Sequence, residues 1–181
     1  MTQLPDNDSI VGVTFKSLTT HPDSRGFFRE IIRSTDSFFP QGSFAQWSHS
    51  KMEKNVVKAW HYHHRQTDWW YVGLGLLEVV LFDNREESPT YQTKLIFQLG
   101  DAPDSSATVS IPPGVLHGAK VVSDFAHLFY ITSETYNPDD EGRFAYNSPI
   151  VDHKWGEEVI VSERDTVDFI PPHPRALTLS S

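Results

Sequence analysis

His61 and His63 are separated by one residue, Asp68 follows after four more, and His117 comes just after the turn segment Pro112-Pro113-Gly114. Imidazole nitrogens and a carboxylate oxygen are ligands that borderline divalent metals accept. The set suits Zn, Fe, Ni, Mn or Cu and does not choose among them. The chain has no cysteine, so any metal here is held by imidazole and carboxylate alone, and cysteine nucleophiles and disulfides are excluded. The same four groups also suit the polar lining of a wet, metal-free cavity. Both readings need the side chains on one surface. A strand over residues 58–64 puts His61 and His63 on one face, with Tyr62 and His64 on the other and Trp60 pointing away from the His61/His63 side.

The elements that must position these groups read as strands. Runs of β-branched and aromatic residues recur at 27–32, 69–82, 94–99, 107–111 and 127–132. Turn clusters such as Asp83-Asn84-Arg85 and Gly100-Asp101-Ala102-Pro103-Asp104 separate them. Ala107, Val109 and Ile111 alternate with Thr108 and Ser110, the period of a half-buried strand. No sustained helical stripe is present, and a short helix is expected only near residues 34–39. Short spacing with 12 Pro and 10 Gly predicts an antiparallel sandwich or barrel. Residues 1–9 and roughly 171–181 read as polar or Pro-rich arms.

A length of 181 residues suits one domain, and 38% hydrophobic residues supply a core, which excludes intrinsic disorder. The formal charge of −9 argues against nucleic acid or an anionic membrane surface as partner, since basic patches supply most of that affinity. It leaves room for an anionic small molecule held by a few local cations. No run of 18 apolar residues and no secretory leader pattern is present, so a cytoplasmic location is expected.

His61-x-His63, Asp68, Gly75 and Pro112-x-Gly114-x-x-His117 resemble the two signature motifs of the cupin superfamily, with Asp in place of the usual Glu and without the final Asn. A narrower likeness surrounds them. Asp23-Ser24-Arg25-Gly26-Phe27-Phe28-Arg29-Glu30, Gln46-x-Ser48-x-Ser50 and Lys58-Ala59-Trp60-His61-Tyr62 resemble segments of the dTDP-4-dehydrorhamnose 3,5-epimerases. So do the stretch from Asp83 to Thr90, Ile111 to Gly118, Tyr130, Thr135-Tyr136-Asn137-Pro138, Trp155 and Ser162-Glu163-Arg164-Asp165. The likeness covers about residues 21–166, in order.

That resemblance implies an all-β cupin fold, a double-stranded β-helix or jelly-roll barrel, forming one domain over 1–181 with a core of about 10–170. It implies a homodimer acting on a dTDP-type 4-keto-6-deoxy sugar without a required cofactor. His61 matches the family's base, which takes the proton on C3 or C5, Asp165 the carboxylate that orients it, and Tyr130 the acid on the opposite face. A carboxylate bonded to a histidine fixes its tautomer and stabilises the imidazolium, as a general base requires. Arg25, Glu30, Gln46, Lys58, His117 and Tyr136 match substrate contacts.

The chain departs from the family where charge matters. Lys58 replaces an Arg and lacks its planar fork. Ser48 replaces an Asn. Asp68 replaces the Lys that helps hold the enolate oxygen, where positive charge or donors are needed. His63 replaces a Gln or Ala. The last two changes lead toward metal ligands, and a divalent ion on His61, His63, Asp68 and His117 would restore the positive charge. His61 cannot be ligand and free base together, so on this spacing the two mechanisms compete for it, unless Arg65 supplies the charge. The competing functional classes are a metal-dependent cupin enzyme on another small carbonyl or oxygenase substrate and a non-catalytic sugar-nucleotide-binding cupin. The aromatics Trp47, Trp60, Trp69, Trp70 and Tyr71 are expected mostly to fill the core or an interface.

Overall fold

The computed structural model describes residues 4–171. Its strands are β1 (Thr14–Ser17), β2 (Thr20–Asp23), β3 (Gly26–Arg29), β4 (Gln46–Glu53), β5 (Val56–His63), β6 (Asp68–Leu74) and β7 (Leu76–Asp83). They continue with β8 (Lys94–Gly100), β9 (Ala107–Ile111), β10 (Val115–Val121), β11 (Phe125–Thr132), β12 (Glu141–Arg143) and β13 (Ile160–Val161), before a 3-10 turn at Glu163–Thr166. One sheet has the order β1-β9-β6-β11-β4 and the other β12-β5-β10-β7-β8, with β13 parallel to β5 at its edge. Their inner faces pack Leu77, Val79, Leu81, Phe97 and Leu99 against Val72, Val109, Ile111, Ala126 and Leu128. Each of the Val, Leu, Ile and Phe side chains taken from water contributes about 1.5–3 kcal/mol. This is the cupin-type β-sandwich expected from the motifs.

The single apolar run at 69–82 is two strands. Gly75 breaks it at φ +87°, and a Cβ there would lie 2.1 Å from the Phe125 carbonyl oxygen, so only glycine permits the reversal. The run lacks clear alternation because β7 is covered on both sides. Leu77, Val79 and Leu81 enter the main core, while Val80 and Phe82 join Trp60, Tyr62, Val151 and Trp155 in a second cluster on the outer face. Strand β9 shows the same effect. Its polar residues Thr108 and Ser110 are buried rather than half-solvated, because the chain at Ile31, whose carbonyl accepts from the Thr108 hydroxyl, crosses that side.

Two expectations fail. Residues 34–39 form successive turns instead of a helix, because the Asp36 carboxylate accepts from the Arg33 backbone N–H at 2.7 Å and from Lys16 at 2.6 Å. Short acidic side chains that bond nearby backbone in this way compete with helix. Residues 4–9 are no free arm. Leu4 packs on the core and the Asn7 side chain accepts from the Phe15 N–H at 2.6 Å. Residues 1–3 and 172–181 of the expected arms lie outside the described residues.

The family-like segment from Asp83 to Thr90 is a structural staple. Asp83 is fully buried and accepts from Arg85 at 2.7 Å and from the Ser88 and Thr90 hydroxyls at 2.6 Å each. Burial alone pushes its carboxyl up, but these bonds outweigh burial and hold it far below the usual carboxylate range.

Candidate active site

A cavity of about 480 Å³ opens between the sheets. From β5 and β10 it receives Lys58, His61, His63 and His117, and from the opposing sheet Gln46, Asp68, Trp70 and Tyr130. Asp165, on the 3-10 turn, and Tyr136, at the mouth, join them. Trp60 is fully buried on the other side of β5. Arg25 and Glu30 are not among the lining residues. Arg25 stands out on the β2–β3 hairpin beside Asp23 at 2.6 Å, and Glu30 pairs with Arg33. That hairpin forms its own two-stranded sheet and does not fold over the cavity of its own chain. Arg65 also stays outside the lining, drawn by Asp140 at 3.3 Å.

A regular strand would set Lys58 and His61 on opposite faces, because their numbers differ in parity. A β-bulge brings both to the cavity. His117 pairs with His61, while Ala119 pairs with Lys58, so β5 spends three steps where β10 spends two. The extra residue re-aims the side chains that follow, as bulges near active sites do. The Ala59–Trp60 peptide, which is cis, lies in this bulge. Gly118 faces it, and a Cβ there would come within 2.6 Å of the Ala59 Cβ.

His61 Nε2 lies 3.0 Å from Asp165 Oδ1 across 104 residues of sequence. The pairing of β13 with β5 brings the turn there, and Tyr146 N–H anchors it on the Asp165 carbonyl at 2.8 Å. Asp165 is 3% exposed. Burial pushes its carboxyl up, but the His61 bond and charge, with help from Ser162 and Arg164, win, and its pKa falls below the usual value. An ionised carboxylate at this distance is placed to accept a proton from Nε2. Tyr130, on β11 of the opposite sheet, borders the same cavity. Lys58 reaches Ser50 Oγ at 2.8 Å, and desolvation lowers its ammonium pKa despite the opposing charge of Asp165. Gln46 accepts from the Tyr136 backbone N–H at 3.1 Å and so ties the loop at the mouth.

Sequence reasoning missed Glu141 and Gln66. Glu141 Oε1 lies 3.5 Å from His61 Nδ1 and pairs with Arg164. Only the pairing of the three-residue β12 with β5 brings it there, and no sequence signal marks it. Gln66 does carry a signal, since it precedes Asp68 by the two-residue period of a strand face. Its Nε2 lies 2.6 Å from Asp68 Oδ1 and 3.2 Å from His63 Nε2.

The four expected metal ligands separate into two groups. Ligand atoms of His63, Asp68 and His117 lie within 4.8 Å of one another, and His61 is not in this cluster. The His61 ring is held toward Asp165, and its centroid is 6.4 Å from that of His117, against 5.5 Å for His63 to His117.

Burial drives the His117 pKa down to about 3, against small opposition from Asp68. In the unfolded chain the same imidazole binds its proton near 6.5, so below that pH the unfolded state holds more protons. The contribution is complete above about pH 6.5 and is lost progressively toward pH 3, at up to about 1.4 kcal/mol per pH unit. Chemical denaturation of metal-free protein at a series of pH values is expected to show this slope and His117→Gln to reduce it. Identical slopes in the two proteins refute the assignment.

The chain matches the sequence profile of dTDP-4-dehydrorhamnose 3,5-epimerase over residues 7–169. The spore coat polysaccharide biosynthesis protein SpsL of Bacillus subtilis is 37% identical over 152 residues, covering 82% of this chain and 98% of the relative. A dTDP-4-dehydrorhamnose 3,5-epimerase of Pseudomonas aeruginosa is 31% identical, covering 79% of this chain and 82% of the relative. Among solved structures, the dTDP-6-deoxy-D-glucose-3,5-epimerase RmlC of Legionella pneumophila, in complex with dTDP-4-keto-L-rhamnose, superposes with a TM-score of 0.78 at 27% identity. That match covers 88% of this chain and 87% of the other. The extent of these matches and the cavity's paired histidine and aspartate lead to one assignment: the chain belongs to the dTDP-4-dehydrorhamnose 3,5-epimerase family.

Proposed function

We propose that this protein epimerises a dTDP-linked 4-keto-6-deoxy sugar by moving a proton on and off a carbon beside the ketone. His61 Nδ1 takes the C3 or C5 proton, and Asp165 holds the ring through Nε2–H and stabilises the imidazolium formed. Tyr130 donates a proton from the opposite sheet, so the carbon is reprotonated on its other face and its configuration inverts. Lys58 and Arg164, both bordering the cavity, are the cations placed to hold the diphosphate, and Gln46, His117 and Tyr136 contact the substrate. The observation that carries this reading is the 3.0 Å His61–Asp165 contact inside a cavity whose far wall holds Tyr130.

Incubation with a dTDP-4-keto-6-deoxy sugar in deuterium oxide tests it. Deuterium is expected at C3, at C5 or at both, read by NMR, and folded protein that leaves both protons in place refutes it.

Arg25 and Glu30 enter the same reading through a second copy of the chain. The hairpin that carries Arg25 exposes Phe27 (55%) and Phe28 (62%), with Glu30 following at its end, and these apolar rings want more cover than the described residues provide. In a homodimer the hairpin of one copy closes the cavity of its partner. Sedimentation at monomer mass overturns this arrangement. The catalytic unit is a single domain of about residues 10–170, working in the cytoplasm. Among the described residues no helix is long and apolar enough to cross a membrane.

A further inference from the structure

Asp68 is 4% exposed, and among the described residues no Lys or Arg nitrogen pairs with it. Its partners are neutral donors: the Gln66 amide at 2.6 Å on one oxygen and the Trp70 indole N–H at 3.0 Å on the other. A buried carboxylate without a cation keeps much of its desolvation cost. His63 faces the same point, with Nε2 at 4.0 Å from Asp68 Oδ1. His117 donates Nδ1–H to the Val115 carbonyl at 3.2 Å, which leaves its Nε2 lone pair for the cavity. A backbone carbonyl that fixes the tautomer in this way is what orients metal-binding histidines. The Gln66 amide nitrogen lies between Asp68 and His63, its partial positive charge standing where a cation's would.

We propose that His63, Asp68 and His117 hold one first-row divalent cation in a site separate from the His61–Asp165 pair. Two imidazoles and one carboxylate on one side of an ion leave further positions open. Metal–ligand distances of about 2.0–2.2 Å require the three atoms, now within 4.8 Å of one another, to draw in by side-chain rotation while the Gln66 amide swings aside. The ion and the base then no longer compete for one residue. Bound there, the ion supplies the positive charge that the cavity lacks around Asp68. Use of that charge by the reaction rests on the epimerase reading, whereas binding does not.

Untagged protein, treated with chelator and dialysed, is titrated with Zn²⁺ by calorimetry and with Co²⁺ by visible absorption. About one tight equivalent is expected, with a rise in Tm and a Co²⁺ spectrum of nitrogen and oxygen ligation. Asp68→Asn, which keeps the shape and one accepting oxygen but removes the charge, and His63→Ala are expected to lose it. His61→Asn is expected to retain it. So is His49→Ala, which breaks the exposed His49–His127 pair, the one other place among the described residues where two imidazole nitrogens meet closely, at 2.9 Å. Folded wild-type protein without stoichiometric binding overturns the proposal, as does loss in His61→Asn or His49→Ala, or retention in Asp68→Asn. Zinc binding without deuterium exchange refutes the epimerase reading and leaves the metal site standing. Exchange in protein that binds no zinc does the reverse.

Discussion

His61→Asn is expected to slow deuterium exchange at the sugar carbon about 10²–10⁴-fold, the contribution of a positioned general base. Asparagine is a small polar replacement whose amide falls near the Nδ1 position and does not reach Asp165. The carboxylate therefore loses the His61 bond, at about 1–3 kcal/mol, and keeps Ser162 and Arg164. The His61 side chain is 20% exposed and lies outside both apolar clusters, so the variant folds. Asp165→Asn should fall in the same range through a different cause: the amide no longer selects the Nε2–H tautomer, and Nδ1 loses its basic lone pair part of the time. Exchange within tenfold of wild type in His61→Asn would remove His61 from the base role. Glu141, 3.5 Å from Nδ1, is then the next carboxylate in line.

Tyr130→Phe separates removal of the proton from its return. Only a hydroxyl is lost, on a half-buried residue of β11 packed against the main core, so stability should change little. Inversion is expected to fall about 10²–10⁴-fold, because no acid remains on the second face. His61 still removes the proton and gives it back to the face it came from, so deuterium continues to enter substrate of unchanged configuration. NMR distinguishes the two products in one sample. Equal loss of exchange and inversion would mean that Tyr130 serves in binding instead. Undiminished inversion would exclude it altogether.

The chemistry of this site was legible because strands have a period of two. His61 and His63 share a face through that period alone, and the alternation at 107–111 with the apolar run at 127–132 marks two of the strands that carry the sandwich. Lys58 was beyond that reasoning. Its parity assigns it to the other face, and the bulge opposite Gly118 that reverses it depends on contacts between β5 and β10. Residues 34–39 failed for a related reason, since one Asp36 side-chain bond to the backbone decided between turn and helix. Spacing also suggested four metal ligands where the folded chain groups three.

The sequence by itself determined the fold class, most of the residues that line the cavity and the family, because apolar periodicity and motif order are properties of the chain taken locally. Tertiary structure decided which groups meet. Asp165 reaches His61 only through the edge pairing of β13, Glu141 only through β12, and Arg25 and Glu30 leave the cavity of their own chain because the hairpin forms a separate sheet. Each of these depends on contacts between residues tens of positions apart, where strand register and bulges set distances that no local pattern encodes. The deficit of positive charge around Asp68 was readable as a substitution. Its separation from the His61 pair was not, because that depends on which way each ring turns once the sheets have closed.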